Sequence, residues 1–202
     1  RVDNDNGVLV EGKNYTNMEH KWDEAYGYLF GGADDAADPL HTVGQDDVFM
    51  NKYLGRVIGD ADFATYFDDI FGAFKLGRAA IVDGDFDLRD EQAALIKKRI
   101  SEIIAIRAVH YLKTAGVELA ASNFGSAFHD LSEGYGFIYS LQFTQNPATG
   151  APYFSANEVD ALLADLLDDG QNGLWEVQIS TLDDLAVNIA SRFDFTVEQT
   201  ID

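Results

Sequence analysis

A stretch of eleven residues occurs twice in this chain, and the two copies constrain the fold more than any other feature. The first is His20-Lys21-Trp22-Asp23-Glu24-Ala25-Tyr26-Gly27-Tyr28-Leu29-Phe30. The second is His129-Asp130-Leu131-Ser132-Glu133-Gly134-Tyr135-Gly136-Phe137-Ile138-Tyr139. Four positions are identical (His, Glu, Tyr, Gly) and no gap is needed. Four more keep their class: Trp22/Leu131, Tyr28/Phe137, Leu29/Ile138 and Phe30/Tyr139. Such a coincidence of offsets reads as an internal duplication, which has to be sought before any fold is assigned.

Both copies predict helices. Met18, Trp22, Ala25, Tyr26 and Leu29 follow the spacing of an apolar helical face, and Phe128, Leu131, Tyr135 and Ile138 make the equivalent stripe. Thr16 followed by Glu19 is a capping box, so the first repeat helix begins there and runs over about 16–31. The second runs over about 123–142. His20 and Glu24 are four apart and share a face, as do His129 and Glu133. Gly27 and Gly136 stand three residues after those acids, where a helical glycine costs about 1 kcal/mol against alanine. Close approach of another backbone, or room for a ligand, would offset that cost. If the two copies face each other, two imidazoles and two carboxylates converge, a set that suits iron, zinc or manganese. The same residues can instead hydrogen-bond among themselves as a buried polar network, or act as acid and base.

The remaining chain reads as helix and loop. Residues 1–15 are a turn-rich loop whose Asp3–Gly7 stretch lacks the glutamate of a calcium loop. Helices are predicted over 46–59, 62–82 with a bend at Gly72 or Gly77, and 88–115 with a break at Gly116. Asp83-Gly84-Asp85-Phe86-Asp87 reads as a turn followed by a helix cap. Arg107 and His110 interrupt the apolar stripe of the long helix; a buried arginine there needs a carboxylate, with Glu24 and Glu133 the candidates. Ser155 and Glu158 make a second capping box, and Ser180 or Thr181 is the expected cap of a last helix. Trp175 falls in a loop, and 196–202 reads as a tail. No segment shows convincing strand periodicity with hairpin turns. The expected class is all-α, built as helical bundles.

The 202 residues suffice for one domain or two small bundles. A net charge of −21 repels nucleic acid and anionic membranes and fits a well-solvated surface. The lack of cysteine excludes disulfides, thiolate metal sites and cysteine nucleophiles. No run reaches the roughly 18 apolar residues of a membrane span, and no signal-peptide pattern is present. The sequence starts at Arg1 without methionine, as a processed, cleaved or trimmed chain does.

The paired histidine helices resemble the imelysin family, and more closely the imelysin-like domains of bacterial secreted or lipid-anchored proteins. The likeness is carried by Tyr15 to Tyr28, by Phe128 to Leu141, and by Asn146-Pro147 through Pro152-Tyr153-Phe154 on to Trp175. It runs from about residue 13 to about residue 195. The family hallmark is Gly-x-His-x-x-Glu; here Met18 takes the glycine place, and Asp23 and Ser132 take the acid place. The acid shared by both copies lies one position further on, at Glu24 and Glu133.

The resemblance implies an all-helical domain over 16–195 with an internal pseudo-two-fold repeat, preceded in the family by further helices. It implies a periplasmic, outer-membrane-associated or extracellular place in bacteria, and an association with iron uptake. The leading expectation is a non-enzymatic binder of a metal ion, iron or another divalent metal, or of a metal-bearing ligand. His20, Asp23, Glu24, His129 and Glu133 would be its ligands, with Arg107, His110, Tyr26 and Tyr135 holding them in place. An envelope protein, or the upstream part of the same domain, is the expected partner. Two alternatives stand beside it: a structural module in which the His/Glu repeats form a buried network, and a metallopeptidase in which one carboxylate activates a metal-bound water.

Overall fold

The computed structural model describes residues 2–45 and 49–201, and the described residues form helices without a strand. In chain order they are α1 (Val2–Asp5), α2 (Asn17–Phe30), α3 (Phe49–Ile58), α4 (Tyr66–Asp83), α5 (Phe86–Ala120), α6 (Phe124–Ser140), α7 (Ala156–Leu167) and α8 (Ile179–Ala190). Single 3-10 turns lie between several of them. The chain is all-α, as its periodicity predicts. The first three residues of the predicted 46–59 helix lie outside the described residues. None of the described helices is long and apolar enough to cross a membrane.

Two compact units divide the chain, Arg1–Arg99 and Ile100–Asp202, and α5 contributes residues to both. The first unit buries Leu29 and Phe30 of α2, Leu54 and Val57 of α3, and Phe67, Ile70, Phe74 and Ile81 of α4. Phe30 is fully buried and meets Phe67, Phe71 and Phe74 edge to face, at centroid distances of 5.9, 6.1 and 6.4 Å. Aromatic rings prefer that geometry because the positive edge of one meets the negative face of the next. The second unit is aliphatic in comparison: its fully buried side chains include Ile103, Leu112, Leu131, Ile138, Leu141, Leu166 and Leu182, with Phe154.

Both capping boxes are made. The Thr16 hydroxyl accepts from the Glu19 amide, and the Glu19 carboxylate accepts from the Thr16 amide at 2.6 Å. Ser155 and Glu158 do the same at the start of α7. Gly84 ends α4 in the left-handed region (φ 75°), and Asp85 accepts from the Leu88 amide at 3.0 Å to open α5, the turn and cap that Asp83–Asp87 predict.

Five expectations are corrected. Residues 1–15 are not simply loop: α1 lies within them, and Asn4 donates to the Ile81 carbonyl and accepts from Thr16. Neither Gly72 nor Gly77 interrupts α4, which begins at Tyr66 after a 3-10 turn at Ala61–Phe63. Gly116 does not break α5. It sits under α8, where an added Cβ would lie 3.5 Å from Ile179, so packing holds the helix through it. The cap of α8 is Gln178, ahead of the expected Ser180 or Thr181. The described part of the predicted 196–202 tail does not hang free: Glu198–Thr200 form a 3-10 turn, Thr200 is buried, and its carbonyl lies 2.9 Å from Nδ1 of His110.

Candidate functional site

The first repeat helix splits its polar residues between two faces. On one, His20 Nε2 lies 3.1 Å from Glu24 Oε1, and the imidazole stacks on Tyr15 with centroids 5.2 Å apart. Lys21 reaches the other Glu24 oxygen at 2.8 Å. That hydrogen bond, with the charges of Lys21 and His20, lowers the Glu24 carboxyl below its usual range. These side chains are about two-fifths exposed (41% and 42%), so His20 and Glu24 form a surface pair rather than a buried network. On the other face, Asp23 and Glu19 both bind Arg78 of α4, at 2.9 and 2.8 Å. Asp23 is thus turned toward a cation and away from the His20–Glu24 pair. Glu19 is also pulled below its usual range, chiefly by the Thr16 amide.

The second copy lies in the second unit. His129 is exposed, Glu133 is half-buried, and Tyr135 is 38% exposed. Arg107 is buried with its guanidinium 4.5 Å from the ring centroid of Tyr111, which in turn stacks on Phe137. Glu24, one of the two carboxylates expected for Arg107, is taken by Lys21 and His20. His110 faces the Thr200 carbonyl.

Although the residue identities repeat, the buried faces differ. Phe137 is 2% exposed whereas its counterpart Tyr28 is 75% exposed; Tyr139 is 49% exposed whereas its counterpart Phe30 is 0% exposed. The two shared glycines, Gly27 and Gly136, face open space with nothing within 4 Å of an added Cβ. Close approach of another backbone, one of the two reasons expected for them, is therefore not what they serve. That role belongs to Gly44 and Gly55, where an added Cβ on Gly55 would come within 2.3 Å of Gly44 Cα. Among the described residues no group of three or more His, Asp or Glu side chains is arranged to hold a metal ion. The first repeat face brings together one imidazole and one carboxylate, His20 and Glu24, short of the ligand set a closed metal site needs.

What α2 does build is a groove. Trp22, Tyr26, Phe71 and Phe74 form its aromatic walls, Ala79 and Val82 of α4 with Ala36 and Ala37 extend them, and Asp23, Lys75 and Arg78 complete the lining. Its volume is about 510 Å³, within the range of roughly 300–1,000 Å³ typical of small-molecule sites. Two contacts fix its shape. The Trp22 indole packs against Gly77, where an added Cβ would fall 2.1 Å from the ring, and its Nε1 donates to the Phe74 carbonyl at 2.8 Å. Tyr26 donates to the Ala36 carbonyl at 2.5 Å, tying the loop to α2; burial, reinforced by Asp35, raises its phenol above the usual value. Asp23 and Tyr26 are the two site residues expected from sequence that line this groove. Phe71, Phe74, Lys75 and Arg78 were missed. The run of aromatics from Phe63 to Phe74 beside Gly77 is the signal that points to them.

The chain belongs to the family described as a domain of unknown function, DUF4856, whose sequence model matches residues 1–196. No curated protein and no solved structure matches it.

Proposed function

We propose that this chain is a non-enzymatic binding module of imelysin type, exported to the bacterial cell envelope, and that its ligand is taken in the groove between α2 and α4. The groove carries the reading: four aromatic side chains around an open apolar volume with charged groups at its edge. That combination of apolar walls and a few placed polar groups is the ordinary composition of a small-ligand site. The envelope location rests on the resemblance of the paired histidine helices to imelysin-like domains. We read the two copies as the trace of a duplication that kept His, Glu, Tyr and Gly in register while the copies came to bury different faces. Iron, or another divalent metal, enters this reading as part of a bound ligand, or on the His20–Glu24 face with solvent completing its coordination.

Fluorescence tests the binding reading. The chain has two tryptophans, so Trp175→Phe leaves Trp22 as the sole indole, in the groove wall. A panel of aromatic and heteroaromatic small molecules should include members that change Trp22 emission saturably. Ala79→Phe, which fills the groove, should abolish the change. No saturable member, or a response that survives Ala79→Phe, would contradict the proposal.

A further inference from the structure

The edge of the groove says what kind of ligand fits it; this step rests on the binding reading above. Lys75 and Arg78 stand three apart on α4, so they project from one face of the helix into the lining. Arg78 spends Nε on Asp23 and Nη1 on Glu19, and its Nη2 group makes no hydrogen bond among the described residues. Lys75 makes no hydrogen bond or ion pair among them; its ammonium lies 5.1 Å from the Phe71 ring centroid, held only by the ring face. A guanidinium has five N–H donors and an ammonium three, so the groove edge keeps several unused donors. On the acidic side, Glu19 is engaged by Thr16 and Arg78 through its two oxygens, and Asp23 gives one oxygen to Arg78. The edge is therefore richer in free donors than in free acceptors. A cation entering it would meet Lys75 and Arg78 at short range.

We propose that the groove binds a planar aromatic compound bearing one carboxylate, its ring between Trp22, Phe71 and Phe74 and its carboxylate on Lys75 and the free Nη2 of Arg78. The net charge of −21 opposes an anion at long range, but solvent ions screen charges beyond about 8–10 Å. The contact charges then decide: the charged residues that line the groove are Lys75, Arg78 and Asp23, two cations and one anion, with Glu19 on Arg78 and Asp35 near Tyr26 outside the lining. Hydrogen bonds to charged groups are the stronger class, so orientation by the carboxylate should be visible as selectivity.

Three naphthalenes of one shape separate the possibilities: 2-naphthoate, 2-naphthylmethanol and 2-naphthylmethylammonium, titrated calorimetrically into the protein. The expected result is naphthoate binding about tenfold or more tighter than the alcohol, with the ammonium weakest. In Lys75→Met, which keeps an apolar side chain at that position, the ratio of naphthoate to alcohol affinity should fall toward one. Equal affinities, or a preference for the ammonium, would overturn the carboxylate assignment and leave the groove standing as a binding site. Failure of all three to bind would overturn both.

Discussion

Gly77 shows how one missing side chain shapes the groove. In the interior of α4 a glycine costs about 1 kcal/mol against alanine, yet any Cβ here would enter the Trp22 ring. Gly77→Ala should displace the indole, break its hydrogen bond to the Phe74 carbonyl and destabilise the first unit by about 1–3 kcal/mol, the usual cost of overpacking. Chemical denaturation together with a red shift of Trp22 emission would register it; an unchanged midpoint would mean the ring is not seated there. Gly27 and Gly136 should behave in the opposite way. Both are exposed in helices with open space where a Cβ would go, so Gly27→Ala and Gly136→Ala should each stabilise by about 0.5–1 kcal/mol. A loss of stability in either variant would show that something in the protein approaches that backbone closely.

At the scale of elements, the clearest pH response belongs to the start of α7. The Ser155 amide first, and then Arg192 at 2.8 Å, pull the Glu158 carboxyl from 4.5 to about 2. A carboxylate whose folded value is depressed contributes stability above its unfolded value and loses it as pH falls through the folded one. The contribution of this cap should therefore be whole above about pH 4.5 and decline toward about pH 2. Glu158→Gln should flatten that part of the pH dependence of the melting temperature. A Glu158→Gln profile parallel to the parent through this window would contradict the assignment. The same element shows what sequence could reveal: Ser155 and Glu158, like Thr16 and Glu19, lie three residues apart, and a cap is a local bargain that neighbours in sequence can settle. Gly116 could not be read the same way, because the contact that carries α5 past it comes from Ile179 of α8. The docking of Thr200 against His110 is equally non-local.

For the whole molecule, the all-α architecture was legible because helical periodicity and caps repeat along the chain, whereas the groove was not. Asp23 and Tyr26 stood out as site residues, but only folding brings Lys75, Arg78 and Phe71 beside them. The repeat drew attention to α2, which lines the groove, and on it to a face that carries the surface pair of His20 and Glu24. The charge of −21 predicts a further whole-molecule property. Like charges at such density oppose the compact state and are screened by salt, so the melting temperature should rise with sodium chloride from low to physiological ionic strength. A falling melting temperature over that range would mean that its exposed ion pairs outweigh the self-repulsion.

Backbone amide chemical-shift mapping with aromatic fragments decides whether the proposed α2–α4 groove is the binding site. Binding in the groove should give saturable shifts confined to Trp22–Tyr26, Ala36–Ala37 and Phe71–Val82. Shifts gathered instead around His129 and Glu133, or none at any fragment concentration, would contradict it.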